Sequence, residues 1–240
     1  MSSGAYIALS GLRVRAEQLD RVAADVANAA TSGYKGERSA SAVAPRPSFD
    51  SLLQAAVDVT PTPGRIDFSS GALATTGRDL DFAVEGHGFF VLDTPAGPRY
   101  TRNGHFDRST DGTLVAADGT PVAGENGPIR LAKGEIEVES DGTIKVAGTV
   151  AGKLRLVTFA DEQVLEREEA SRFRAPADVT PQTTGGGSIR AGTLEQANVS
   201  VVERMTKMIE VMRGFEALQR GITVMMTDID SRAISELGRR

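Results

Sequence analysis

Apolar side chains recur over the last stretch of the chain at alternating steps of four and three: Val201, Met205, Met208, Met212, Phe215, Gln219, Ile222, Met226, Ile229 and Ala233. Only Gln219 in that series is polar. Such spacing is a heptad seam and predicts one helix over residues 197–240. Val202, Ile209, Val211, Leu218 and Met225 flank the seam, so the apolar stripe is wider than a two-stranded coiled coil needs. The opposite side reads as solvated, because Glu203 and Lys207, Glu216 and Arg220, and Asp228 and Arg232 each set an acid four residues before a base. No proline interrupts it, and at ~1.5 Å per residue the helix would be about 60 Å long. A helix of that length must bury its seam against another.

The expected partner lies at the opposite end of the chain. Ala5, Leu9, Leu12, Ala16, Leu19, Ala23, Val26 and Ala30 keep the same alternation, and the small Ala16, Ala23 and Ala30 would let a second backbone come close. Leu9, Leu12, Leu19 and Val26 on the first helix, with Val201, Met205, Met208, Met212, Phe215, Ile222, Met226 and Ile229 on the last, are therefore the candidate packing residues. Gly214 and Gly221, one heptad apart, are read as points of close approach for a neighbouring helix.

Between the helices the period changes. Asn28, Thr31, Ser32 and Gly33 end the first helix near Ala30. Pro45, Pro47, Pro61, Pro63, Gly64 and Gly71 then exclude any long regular element, leaving at most a short helix over Phe49–Val59 capped by Ser48 or Asp50. Short strands are expected from residue 79 onward, at Phe89–Asp93, Arg99–Thr101, Leu114–Ala116, Pro121–Val122, Ile129–Leu131, Ile136–Val138, Thr143–Val146 and Lys153–Phe159. The pairs Asp111-Gly112, Asp118-Gly119 and Asp141-Gly142 are hairpin signals. The expected organisation is an N-terminal helix over 1–34, an extended connector over 35–77 and a central β domain over 78–175. A Gly, Pro and Thr-rich connector over 176–196 and a C-terminal helix over 197–240 complete it. The class is α+β: paired long terminal helices, coiled-coil-like, around an antiparallel all-β domain of barrel or sandwich type.

Composition narrows the functional classes. A chain of 240 residues that is 40% hydrophobic and 25% charged can bury a real core. Its net charge of −5 offers no footprint for nucleic acid. With no cysteine, disulfides and thiolate metal sites are excluded. No apolar run is long enough to insert in a membrane, and Arg13, Arg15, Glu17, Asp20 and Arg21 occupy the place of a secretory h-region, so any export is expected to use a route without a cleaved Sec signal.

Candidate chemistry is sparse. His87 and His105 are the only histidines, and Asp81, Glu85 or Asp107 could join them in an acid-base or metal cluster. Both sit in glycine turns, which favours solvated or capping histidines. No nucleophile elbow, phosphate loop or metalloprotease motif occurs. The expectation is a protein with no catalytic residues, metal or cofactor. Arg78, Asp79, Asp81, Arg99 and Arg102 crowd the entry to the β domain and suggest a contact surface.

Three groups of residues together resemble the flagellar basal-body rod, hook and hook-associated proteins. Ala27-Asn28 with Thr31, Gly33, Tyr34 and Lys35 is similar to the family's N-terminal motif. Gly77-Arg78, Leu80-Asp81-Phe82, Gly86, Gly88-Phe89-Phe90, Thr101-Arg102 and Gly104 resemble the central motif of its FlgF/FlgG-type rod and hook subgroup. Leu194-Glu195 with Asn198-Val199, then Arg213-Gly214-Phe215-Glu216, resemble its C-terminal motif. The chain departs from the pattern at Asp25, where the family usually has asparagine, and at Gln196-Ala197, where it has a serine before the asparagine.

The resemblance implies an axial structural protein of the bacterial flagellum, located in the basal-body rod that spans the periplasm. Its terminal helices would pack with other rod subunits and with further copies of itself in a torque-transmitting drive shaft, and it would leave the cell interior through the flagellar type III export apparatus. Phe215-Glu216-Ala217-Leu218-Gln219 resembles the proximal-rod FlgF type more than the distal-rod FlgG type. A peptidoglycan-acting or binding module on a helical stalk is the rival of another class.

Overall fold

A computed structural model describes residues 3–38, 64–183 and 186–237. The short helix expected over Phe49–Val59 lies outside the described residues, as do the side chains of Ala5, Met226, Ile229 and Ala233. The chain divides into two compact units: Met1–Ala27, Glu37–Arg65 and Ser200–Arg240 form one, and Asn28–Gly36 with Ile66–Val199 form the other.

The second unit is built on the Phe89–Thr94 strand. Successive residues of a strand point to opposite faces, and here both faces are covered. Phe90 and Leu92 enter a core with Phe82, Phe106, Leu114, Ile144 and Leu154. Phe89 and Val91 enter a separate core with Phe68, Tyr100, Phe159 and Phe173. Edge-to-face rings fill each: Phe90 against Phe106 at 5.3 Å in the first, Tyr100 against Phe159 at 4.8 Å in the second. A continuous Phe-Phe-Val-Leu run therefore forms a strand here without polar alternation, because no face of it meets water.

Around this strand runs an antiparallel five-stranded sheet in the order Leu156–Val157, Phe89–Thr94, Gly97–Thr101, Arg172–Arg174, Glu166–Glu169. A three-stranded meander of Ile136–Val138, Thr143–Val146 and Thr149–Lys153 closes the far side of the first core. Two further ladders draw on segments read from sequence as connectors: Leu73–Thr75 pairs with Thr193–Glu195, and Ser188–Ala191 pairs with Phe82–Glu85. Glu166–Glu169 and Arg172–Arg174 make a hairpin.

The three Asp-Gly pairs close turns of one design. Gly112, Gly119 and Gly142 hold φ of 88°, 85° and 89°, the left-handed conformation that glycine adopts without strain. Each aspartate accepts from the threonine two positions on, with Oδ2 to Oγ1 distances of 2.9 Å at Asp111, 2.6 Å at Asp118 and 3.0 Å at Asp141. Asp118 adds an ion pair with Arg172 at 2.5 Å.

The first unit contains α1, Ser3–Ala27, and α2, Val201–Leu237. Ser200 starts α2: its Oγ accepts from Glu203 N at 3.4 Å and its carbonyl from Arg204 N at 3.0 Å. The α+β class stands, but the expected coiled-coil pairing of two long helices does not form. Seam positions Val201, Met205 and Met212 are 42%, 50% and 42% exposed and Leu9 is 63% exposed, whereas Val211, read as a flank, is 1% exposed. The reason lies in the wide stripe, which offers α2 more than one apolar face, so that polar contacts choose its rotation. Arg204 pairs with the buried Asp25 at 3.1 Å, and a Cβ at Gly214 would lie 3.5 Å from Arg15 Nε. Gly214 thus faces the chain's own first helix, while Gly221 faces open space.

Burial would raise the Asp118 carboxyl, yet hydrogen bonds from Arg172 and Thr120 win and hold it at about 2. A carboxylate depressed in the folded state adds stability above its unfolded pKa of ~3.9 and loses it as pH falls towards the folded value. Asp118→Asn should cost about 1 kcal/mol at neutral pH, less than the full shift implies because the side chain is 46% exposed and screened. Urea unfolding across a pH series should show that difference vanish between about pH 4 and pH 2; a constant difference would mean the turn is held by something other than the charge.

Candidate functional site

The motif residues that sequence places far apart meet inside the β unit. After α1, Asn28 O accepts from Thr31 N at 2.9 Å and Thr31 O from Tyr34 N at 3.2 Å, a turn that ends the helix and lays the next residues on the sheet. Gly33, at φ 67°, donates its N–H to Glu195 O at 2.8 Å, and a Cβ there would lie 2.3 Å from Asn103 N. Only glycine fits. Tyr34 is buried beneath the Arg167 guanidinium, 4.7 Å from the ring centroid, and Arg167 also donates to the Lys35 carbonyl.

Lys35 then enters the interior completely. Its ammonium donates to Glu195 Oε1 at 2.6 Å and to Ser69 O at 2.8 Å. The same Glu195 oxygen accepts from Gly71 N at 2.9 Å, while Oε2 faces Arg102 Nη1 at 3.5 Å. Arg102 in turn donates to Gly86 O at 2.9 Å and lies 5.1 Å from the Phe89 ring centroid. All three charged side chains are at most 2% exposed, so one carboxylate is shared by two cations. Burial, the largest influence, pushes the Lys35 ammonium below its ordinary value against the pull of Glu195, and lowers Arg102 likewise. Asn198 adds a second clamp: Oδ1 accepts from Gly36 N at 2.8 Å, and Nδ2 donates to Asp67 O at 2.7 Å.

The central motif supplies the frame. Phe82 and Phe90 fill one core and Phe89 the other, with Leu80 packed against the first. A Cβ at Gly104 would meet Phe82 O at 1.8 Å, so the backbones can touch only with glycine there. Gly86 and Gly88 hold φ of 97° and 131° in the turn below Arg102. Buried Thr101 donates its hydroxyl to Ser171 O at 2.7 Å. Gly77 turns at φ 72°, and Leu194 pairs with Ala74. Ala27 is exposed and Val199 half-buried, and neither takes part in the network.

The suspected histidine cluster has a different character. His105 Nδ1 lies 2.8 Å from Asp81 Oδ1, but the Arg78 guanidinium sits 3.0 Å from the same ring and donates to Phe106 O and, at 2.6 Å, to Asp107. The cation occupies the place a metal would need, and no metal-binding group of three ligands exists among the described residues. His87 is exposed, 3.6 Å from Glu162, and apart from His105. Glu85 instead pairs with Arg190 at 3.1 Å.

Of the candidate packing residues, Leu12, Leu19, Val26, Met208, Phe215 and Ile222 are half-buried, and Leu9, Val201, Met205 and Met212 are exposed. Sequence reasoning did not single out Ser69, Gly71 or Arg167. Glycine and serine in a connector carry no pattern that tells a backbone group bound to a buried charge from an ordinary loop residue, and Arg167 stands in a run of charges, Glu166-Arg167-Glu168-Glu169, that reads as solvated.

Comparison with known proteins matches family models to the central and C-terminal segments and whole relatives to nearly the full chain. Residues 83–150 match the family model for the flagellar hook protein FlgE/F/G D1 domain, and residues 190–233 match that for the flagellar basal body rod FlgEFG protein C-terminal region. The chain is similar to the flagellar basal-body rod protein FlgF of Caulobacter vibrioides, 30% identical over 100% of this chain and 99% of the relative. FlgF of Salmonella typhimurium is 34% identical over 93% of this chain and 94% of the relative. The flagellar basal-body rod protein FlgG of Bacillus subtilis is 30% identical over 91% of this chain and 93% of the relative.

Glu195→Gln would leave Lys35 and Arg102 buried without a counter-charge and should destabilise the β unit by about 3–5 kcal/mol. Lys35→Met should cost less, because Glu195 keeps Arg102 as its partner. Equilibrium denaturation of both variants checks the order; equal losses would mean the network acts through packing alone. Two family models on the central and C-terminal segments, relatives matched from end to end, and motif residues gathered around one buried carboxylate lead to one conclusion: this chain belongs to the flagellar basal-body rod protein family, in its FlgF/FlgG branch.

Proposed function

We propose that this chain is a structural subunit of the flagellar basal-body rod, of the proximal-rod FlgF type, and that it polymerises through its terminal helices. The observation that carries the reading is the end-to-end match to relatives named FlgF. The FlgG type is the alternative, favoured by a relative of that name matched over 91% of the chain. Polymerisation through the helices is supported by the apolar surface they leave in water: Val202, Met205 and Ile209 on α2 are 76%, 50% and 52% exposed. A surface of this kind marks an interaction site.

In this reading the chain has no catalytic role, and the Asp81–His105–Arg78 group serves to tie two turns together. Its partners are other rod subunits, further copies of itself and, on the way out, the flagellar type III export apparatus. Among the described residues no helix is long and apolar enough to cross a membrane. The net charge of −5 speaks against nucleic acid as a partner.

Met205→Asp and Ile209→Asp test the assembly step. Because both sites are half exposed, each should cost the free protein less than about 1 kcal/mol. In a strain whose own gene for this chain is replaced by the doubly substituted one, swimming should be lost and isolated basal bodies should lack the subunit. Normal swimming with a fully incorporated variant would overturn assembly through this face.

A further inference from the structure

His105 stands where two segments of the β unit meet: its backbone forms a bridge with Asp81, and its ring lies between two opposite charges. Nδ1 is 2.8 Å from Asp81 Oδ1, while Arg78 Nη1 is 3.0 Å from Nε2 and 3.1 Å from Nδ1. A neutral imidazole carries one N–H and one lone pair, and these two neighbours use both. Nδ1–H donates to the carboxylate, and the Nε2 lone pair accepts from the guanidinium, a tautomer assigned from the partners. Through Nη2 the same Arg78 donates to Phe106 O at 2.9 Å and to Asp107 at 2.6 Å, so it ties the turn after Gly77 to the Phe106–Arg108 strand.

A second proton on the ring breaks this arrangement. Nε2 then becomes a donor, and an imidazolium faces a guanidinium at hydrogen-bond distance. Asp81 is 2% exposed and holds the charged ring more strongly than the neutral one, so the Asp81–His105 contact stays. Arg78 is 42% exposed, and Asp107, its other carboxylate, is 53% exposed, so the guanidinium is the group with a route to water. These are the charged groups around the ring among the described residues; Thr193, on the neighbouring strand, brings an uncharged N–H to Asp81 O at 3.4 Å. The ring's own backbone is anchored in both states, because His105 N donates to Asn103 Oδ1 at 3.0 Å. Gly77 gives the turn freedom to follow Arg78: it sits at φ 72° with open space beside it.

We propose that His105 is a proton-operated catch: neutral, it holds Arg78 against the β unit; protonated, it keeps Asp81 and releases the guanidinium together with the turn at Gly77-Arg78. The site lies wholly within the β unit, and the proposal does not rest on the rod assignment.

The test follows the isotope-labelled full chain by carbon-detected NMR from about pH 8 to about pH 5, the range in which imidazoles titrate. Of the two histidines, His105 is the one whose ring signal His105→Gln removes, and the Arg78 guanidinium is assigned by its loss in Arg78→Lys. At high pH the bound guanidinium should show two separate Nη nitrogens; they should merge into one averaged signal with the same midpoint as the His105 ring. Glutamine accepts from a guanidinium but takes no proton here, so in His105→Gln the two Nη signals should stay separate throughout. His87→Gln, which changes an exposed ring elsewhere, should behave as the native chain. A His105 ring that does not titrate in this range, Nη signals that ignore its titration, the same merging in His105→Gln, or its loss in His87→Gln would each overturn the proposal.

Discussion

A single carboxylate, Glu195, holds the β unit's architecture to the two chain segments that lead into the helices. It receives Lys35 from just beyond α1, Arg102 from the five-stranded sheet and the Gly71 amide from the strand-bearing connector. Taking three charged groups out of water is costly, and the shared carboxylate with the hydrogen bonds to Ser69 O, Gly71 N and Gly86 O offsets the desolvation. Such a network tolerates one arrangement of its members. Everything that touches it must therefore be placed accurately, and glycines at Gly33 and Gly104 allow the required close backbone contacts.

That constraint explains why the motif residues are shared between packing and polar roles. Phe89 fills the second core and also presents its ring to Arg102; Tyr34 is buried and also carries Arg167. A buried ion triad has few alternative pairings and so fixes the segments it joins. The helices contrast with it: their exposed apolar side chains remain available to partners.

Asp25 shows how a local departure is absorbed. The negative charge it introduces at a buried position of α1 is met by Arg204 on α2, and the Glu37 amide approaches the same carboxylate at 3.4 Å. This pairing, rather than the apolar seam alone, selects which face of α2 turns towards α1. A stripe that is apolar on several sides does not specify its own rotation; a buried charge that must meet an opposite charge does.

Short-range chemistry was legible in the chain alone. Aspartate-glycine pairs located all three turns, because the left-handed glycine and the threonine-to-aspartate hydrogen bonds are local; the Phe89–Asp93 run announced a strand; and the apolar period announced two helices. What the tertiary structure decided was which distant groups meet. Lys35 and Glu195 stand 160 residues apart, and nothing near either one names the other. The strands at Leu73–Thr75 and Ser188–Ala191 were hidden for the same reason: runs as short as Leu-Ala-Thr and Ser-Ile-Arg-Ala form a strand only when a partner edge supplies the hydrogen bonds. The coiled-coil pairing failed where the seam was wide, since periodicity fixes that a face is apolar but not which neighbour covers it.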